Sequence, residues 1–245
     1  DLEGLHPPHI RSVNPSDLQA RAEAHLAHAA ADSPAGLVLG AELFHDYPFA
    51  SQDYYDTCLR SFLQREGRNH DLLDPLGLQV AMDDGGKRSV LGLVSVASPS
   101  QAKYGVTCAL CHTQVDARGR RIDGLPSRTY DQGLLLAACI DQPIHHKAQN
   151  RNIDQLMEYL PGRNDSSSDG IHNPTEIPSF FGLAARGPVR WNGDTPSLEV
   201  QIDRNLSQQP APPAVIALLA AYLRSLSPPP SVDPAPAVIH RRGAA

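Results

Sequence analysis

Residues 108–112 read Cys-Ala-Leu-Cys-His, and this short pattern constrains the fold more than any other feature of the chain. The two cysteines lie three positions apart, so on one helical turn both sulfurs face the same side. Cys-x-x-Cys-His is the attachment sequence of a c-type haem, whose iron is bound by the histidine. We therefore expect one haem, bonded covalently to Cys108 and Cys111 and ligated on its proximal side by His112.

Two other interpretations of the cysteine pair are less favoured. A structural zinc site needs four ligands, and the remaining cysteines, Cys58 and Cys139, are isolated in the sequence. A thioredoxin-type redox pair follows a strand in a βαβ unit, and the sequence around residue 108 does not have that pattern. The haem interpretation is preferred for both reasons.

Covalent haem attachment predicts a periplasmic or extracellular, exported protein. The chain begins at Asp1 rather than methionine, which fits either a processed mature form or a shortened chain, and no signal peptide is present to prove export. In an oxidising compartment Cys58 and Cys139 could form a disulfide, but the sequence leaves open whether they are close enough to do so.

Composition restricts the partners. The 245 residues include 21 basic and 27 acidic side chains, which give a net charge of −6 and argue against nucleic acid as a partner. There is no run of 18 or more apolar residues, so no membrane span is predicted. The 22 prolines and the low aromatic content of 5% indicate that much of the chain is loop around a prosthetic group.

Apolar residues at helical spacing, together with capping residues, predict helices over residues 16–31, 36–44, 51–66, 131–140, 153–160, 197–206 and 213–226. Two β-rich runs, 76–82 and 89–96, flank a Gly-rich turn and predict a β-hairpin. Gly40 lies inside the second helix at a cost of about 1 kcal/mol relative to alanine. We therefore expect another helix to cross closely at Gly40.

Two segments on either side of the haem motif carry a family resemblance. Gly40-Ala-Glu-Leu43-Phe44 and Ala221-Tyr222-Leu223-Arg-Ser-Leu226 resemble the N-terminal and C-terminal helices of class I c-type cytochromes. The resemblance implies a mainly α-helical haem domain over residues 35–226, with an inserted helix and β-hairpin at about 47–100. An N-terminal arm and helix (1–34) and a Pro-rich C-terminal tail (227–245) would flank it. The implied function is electron transfer with a redox partner protein rather than catalysis.

A second resemblance covers residues 177–199, which begin Ile-Pro-Ser-Phe-Phe-Gly and continue to Trp191-Asn-Gly-Asp and Leu198-Glu. This stretch is similar to the C-terminal domain of bacterial di-haem cytochrome c peroxidases. Trp191 stands where that family has histidine, and a second haem motif is absent, so peroxidase chemistry does not follow. The alternative function is a peroxidase-like or small-molecule-binding haem protein with an open distal site. Arg190, Trp191 and Tyr130 are the candidate pocket residues.

The sixth iron ligand stays open at this point. Class I cytochromes place a methionine before the last helix, and this chain has only Met82 and Met157. Met157 and His172 are the candidate distal ligands, although a core methionine and an exposed histidine are the simpler interpretations. Further candidates are His145, His146 and, from the N-terminal arm of a neighbouring copy, His6 and His9. The Pro-rich arms at both ends also suggest self-association or a larger assembly.

Residues 165–176 match the spacing of a twelve-residue EF-hand calcium loop. The ligands would be Asp165, Ser167, Asp169, the backbone carbonyl of Ile171, and Glu176. His172 at the usual apolar position, and two nearby prolines, weaken the match. A structural Ca²⁺ and a polar surface loop are both open interpretations.

Overall fold

The computed structural model describes residues 9–48, 52–66, 73–83, 86–97, 101–143, 152–164, 174–183, 195–206 and 212–229. The helices there are α1 (Pro15–Leu26), α2 (Pro34–Asp46), α3 (Gln52–Glu66), α4 (Leu73–Leu76), α5 (Cys108–His112), α6 (Gln132–Ala137), α7 (Ile153–Met157), α8 (Leu198–Leu206) and α9 (Pro213–Ser225). The strands are β1 (His9–Val13), β2 (Val80–Met82), β3 (Arg88–Val96), β4 (Lys103–Val106), β5 (Thr113–Val115), β6 (Arg121–Asp123), β7 (Arg163–Asn164) and β8 (Thr175–Glu176).

The protein is an α/β mixture with 47% helix and 19% strand, so the prediction of a mainly α fold with one inserted hairpin is wrong. The predicted hairpin exists, since β2 and β3 pair antiparallel with Val80 opposite Val90. However, β3 also pairs with β4 on the same edge and with β1 on its other edge, which makes a four-stranded sheet. Most of β3 is buried, and its run of valines and leucines suits a strand covered on both faces.

Strand β1 shows where the described part of the predicted N-terminal arm lies. Residues 9–13 are extended, as expected, but they pair in parallel with β3 of the same chain. The guanidinium of Arg11 forms an ion pair with Asp46 at the end of α2. Residues 9–13 are thus fixed to the sheet and to a helix within one chain.

The helices begin at capping residues that the sequence supplies. Asn14 and Ser33 accept hydrogen bonds from backbone N–H groups in the first turns of α1 and α2, and a proline follows each cap. Asp131 caps α6 in the same way, by accepting from the N–H of Leu134 at 2.8 Å. Most of the predicted helices are present, although several are shorter than predicted.

Helices α2 and α9 cross closely at Gly40. A Cβ atom on Gly40 would lie 2.6 Å from the carbonyl oxygen of Leu218 and 2.7 Å from Cβ of Tyr222. Such distances are shorter than van der Waals contact, so only glycine allows this approach. The expectation of a close crossing helix at Gly40 is confirmed.

Replacing Gly40 with alanine is expected to lower the free energy of unfolding by about 1–2 kcal/mol, because overpacking at the crossing outweighs the gain in helix propensity. Denaturant unfolding measures the change. Val38→Ala is the matched control, since Val38 is 71% exposed on the same helix and its truncation should cost less than about 0.5 kcal/mol. A Gly40→Ala protein as stable as the control would contradict the close crossing.

Buried apolar residues form two clusters. The sheet-side cluster comprises Tyr54, Cys58, Leu59, Phe62, Leu76, Val90, Leu93, Val106, Leu110, Tyr130, Leu135, Leu136, Ala137, Ala138, Cys139, Leu156 and Tyr159. The helical cluster comprises Leu18, Ala22, Leu39, Leu43, Phe44, Ala109, Leu198, Ile202, Leu206, Ala214, Val215, Leu218, Leu219, Ala220 and Leu223. Helix α5 lies between them, because Ala109 packs in the helical cluster and Leu110 in the sheet-side cluster.

Cys58 and Cys139 form a disulfide, with their Cα atoms 4.6 Å apart. The bond joins α3 to the turn after α6, and both cysteines are fully buried in the sheet-side cluster. Within the described ranges, no helix combines the length and the apolar character that crossing a membrane requires.

Candidate functional site

The candidate site is built on α5, which carries Cys108, Cys111 and His112 on a single short helix after β4. Cys108 packs against the helical cluster, and Cys111 packs against the sheet-side cluster. Both cysteines are free thiols and are partly buried. A group bonded to both sulfurs would therefore be held at the junction of the two clusters.

His112 is held by the loop that follows β8. Its Nδ1 lies 3.2 Å from the carbonyl oxygen of Pro178, and its ring stacks on Phe180 with 3.7 Å between ring centroids. A carbonyl oxygen only accepts hydrogen bonds, so Nδ1 carries the proton and donates it. The remaining nitrogen, Nε2, then presents a lone pair.

Burial lowers the pKa of His112 to about 3, although the hydrogen bond to Pro178 acts in the opposite direction. The ring is therefore neutral at physiological pH. A neutral imidazole whose other ring nitrogen donates to a backbone carbonyl is the usual form of a histidine that binds a metal.

The two thiols do not have the character of a redox or zinc pair. Burial raises the pKa of both Cys108 and Cys111 to about 12, so both remain protonated. Catalytic redox cysteines have a pKa below that of free cysteine, because the thiolate is the reactive form. In the described part of the chain, no group of three or more His, Cys, Asp or Glu side chains is placed to hold a metal ion. The raised pKa values thus disfavour a redox pair, although the cysteines do follow a strand, β4.

Tyr130, one of the predicted pocket residues, lies in the sheet-side cluster and is 1% exposed. Its hydroxyl is buried and has no hydrogen-bond partner among the described residues. Burial raises the pKa of Tyr130, and Tyr55 and Cys111 raise it further, so the hydroxyl lies near the Cys111 sulfur. A buried hydroxyl without a partner is costly.

Other predicted site residues are placed differently. Met157 is 52% exposed on α7, so the interpretation of Met157 as a core methionine is wrong. Glu176 lies on β8 and pairs with Arg128 at 2.8 Å, with both side chains exposed. Seven further candidates lie outside the described residues: Arg190, Trp191, His172, Asp165, Ser167, Asp169 and Ile171. So do His6, His145 and His146. The distal ligand and the calcium loop therefore stay predictions.

Sequence reasoning missed two features of the site. It did not predict that Pro178 accepts the hydrogen bond from His112, although residues 177–199 carry the second resemblance. It also did not predict the hairpin that Thr113–Val115 and Arg121–Asp123 form. Asp116 and Gly119, at the first and last positions of the turn, were an available signal for it.

Comparisons with protein-family models, with curated proteins and with solved structures find no match for this chain. Its function therefore has to be argued from its own residues. Two neutral thiols and a neutral imidazole on one five-residue helix are the donor types that a covalently attached, histidine-ligated haem uses.

Proposed function

We propose that this chain is a monohaem c-type cytochrome that transfers electrons to or from a redox partner protein. The observation that carries the proposal is the hydrogen bond from His112 Nδ1 to the carbonyl oxygen of Pro178, beside two unpaired thiols on the same helix. That hydrogen bond fixes both the tautomer and the direction of the imidazole. It supports metal ligation rather than a solvent-exposed histidine.

The side chains of this protein would each have a distinct role. Cys108 and Cys111 would anchor the haem edge, and His112 would provide the proximal ligand through Nε2. Phe180, stacked on the imidazole, would limit its rotation and keep water from its face. The haem iron, when bound, supplies the one-electron chemistry, and the ligands and burial around it set its potential.

The disulfide supports the proposed compartment. Disulfides persist in oxidising environments such as the periplasm and the cell exterior. Cys58 and Cys139 are paired, while Cys108 and Cys111 remain thiols. This arrangement suits an exported protein in which one cysteine pair stabilises the fold and the other receives haem.

The proposal is tested on the protein expressed together with a cytochrome c maturation system. We expect the mass of the denatured protein to include one haem, because thioether bonds survive denaturation. We also expect the visible spectrum to change on reduction as a low-spin c-type haem does. A denatured protein that has lost all haem would contradict the proposal.

Exposure of the reduced protein to carbon monoxide separates electron transfer from the alternative function. A six-coordinate iron with a protein ligand on both faces binds carbon monoxide slowly or not at all. An iron with an open distal site binds it at once. The second result would favour a small-molecule-binding or peroxidase-like haem protein over an electron carrier.

A further inference from the structure

A buried carboxylate outside the haem motif connects several elements to the iron-ligand region. Asp123 ends β6 and lies opposite Thr113, the residue that follows His112. Its Oδ1 accepts a hydrogen bond from Thr113 Oγ1 at 2.9 Å. Its Oδ2 accepts from His45 Nε2 at 2.8 Å and from the hydroxyl of Tyr222 at 2.6 Å. One carboxylate thus joins α2, α9, β5 and β6.

The carboxylate is ionised despite its burial. Its side chain is 15% exposed, and the ring of His45 is 8% exposed. Burial by itself raises the pKa of Asp123, but the hydrogen bonds from His45, Tyr222 and Thr113 lower it by more, so the net shift is downward. Hydrogen bonds to an ionised acceptor are stronger than those between neutral groups. The position of Asp123 is therefore tightly fixed.

The next residue, Gly124, hydrogen-bonds both to the backbone of His112 and to the segment that contacts the His112 ring. Its N–H donates to the carbonyl oxygen of His112 at 2.8 Å. Its own carbonyl oxygen accepts from the N–H of Phe180 at 2.9 Å and from the hydroxyl of Ser179 at 3.2 Å. The φ angle of Gly124 is +89°, in the region that favours glycine.

Two routes therefore lead from Asp123 to the imidazole. One runs through Gly124 to the backbone of His112. The other runs through Gly124 to residues 178–180, which contain the hydrogen-bond acceptor of the ring and the aromatic ring stacked on it. A displacement of Asp123 would change the backbone and the acceptor of the ligand together.

We propose that Asp123 is a positioning residue for His112. Through Gly124, Asp123 fixes the position of the imidazole relative to its hydrogen-bond acceptor, the carbonyl oxygen of Pro178. This inference rests on the proposed function, because it assigns His112 to the iron. Loss of Asp123 or of one of its donors loosens the hydrogen bond from Nδ1 to Pro178. The imidazole then becomes a weaker donor, the oxidised iron loses stabilisation, and the reduction potential rises.

The test uses the haem-loaded protein and three variants. Asp123→Asn removes the charge and one acceptor oxygen. Tyr222→Phe removes one hydrogen-bond donor to Asp123 without changing the charge. If Asp123→Asn does not fold, the test is made on Tyr222→Phe alone. Asp116→Asn is the matched control. Asp116 lies at the tip of the same hairpin, where it accepts from the N–H groups of Arg118 and Arg120, and it does not take part in the Asp123 network.

Two quantities are measured in each protein: the reduction potential, and the exchange rate of the His112 Nδ1 proton with solvent, followed by NMR of the reduced state. For Asp123→Asn we expect the oxidised-to-reduced ratio at fixed potential to fall about tenfold, which is 59 mV for one electron. For Tyr222→Phe we expect a smaller change in the same direction. In both variants the Nδ1 proton should exchange faster, and Asp116→Asn should leave both quantities unchanged.

One contrary result is a higher reduction potential in Asp123→Asn while the Nδ1 proton exchanges at an unchanged rate in both Asp123→Asn and Tyr222→Phe. The potential would then reflect the lost charge alone, and the proposal would be overturned. Lower thermal stability without a change in either quantity would also overturn it, because the role would then be structural. These outcomes leave the proposed function standing. Absence of covalent haem in the unmodified protein would refute the proposed function and the positioning role together.

Discussion

Replacing Cys108 and Cys111 together with alanine is expected to abolish covalent haem attachment completely. Each thioether bond needs one sulfur, and both thiols are free in the structure. Mass spectrometry of the denatured protein measures the result, since only thioether-bonded haem remains with the chain. Single substitutions should retain haem through one bond, in lower yield.

The matched control removes the same number of cysteines elsewhere. Cys58→Ala with Cys139→Ala deletes the disulfide but keeps the haem motif, so this protein should still contain one covalent haem. If the control also loses haem, the disulfide is needed for maturation and the simple assignment of roles is incorrect. If the Cys108 and Cys111 variant retains haem after denaturation, the attachment site has been misassigned.

Removal of the disulfide is expected to lower the free energy of unfolding by about 4 kcal/mol, because the cross-link closes a long loop in the unfolded chain. Cys58 and Cys139 are 81 residues apart. Denaturant unfolding of the double alanine variant measures this value. The loss is about a quarter to four fifths of the 5–15 kcal/mol that is typical of a domain.

The control for the two introduced alanines is the unmodified protein with its disulfide reduced. Unfolded in denaturant with a thiol reductant, it should show the same midpoint as the double alanine variant. A variant as stable as the oxidised protein would contradict the expected effect. A variant much less stable than the reduced protein would show that the alanines create cavities in the sheet-side cluster.

Local sequence signals were enough to predict the positions of the long helices. The periodic apolar residues of α3 and α9, with prolines or capping side chains at several helix starts, predicted their positions well. The close approach at Gly40 was also predictable, because glycine inside a helix needs a reason. These features depend on residues within one or two turns of each other.

The fold class was not predictable in the same way, because short strands depend on partners far away in the sequence. His9–Val13 has no alternating apolar pattern, and it is a strand because β3, about 80 residues later, pairs with it. Lys103–Val106 is only four residues long, too short for an alternating pattern to stand out, and it is a strand because it pairs with β3. Strand preference is determined largely by such context.

The candidate site shows the same difference between local and long-range sequence signals. Cys108, Cys111 and His112 lie within five residues of one another, so their spacing alone makes them candidate site residues. Asp123 was missed because an aspartate in an arginine-rich segment usually faces solvent. Its donors His45 and Tyr222 are 78 and 99 residues away, so its burial could not be inferred from neighbouring residues.

The position of α5 between the two clusters has a consequence for how they are joined. The disulfide restrains only the sheet-side cluster, while α1, α2, α8 and α9 form the other cluster without a cross-link of their own among the described residues. Haem bonded to Cys108 and Cys111 would tie both clusters to one rigid ring. A group bonded to both sulfurs would thus supply, across the two clusters, a covalent connection that the disulfide supplies only within one of them.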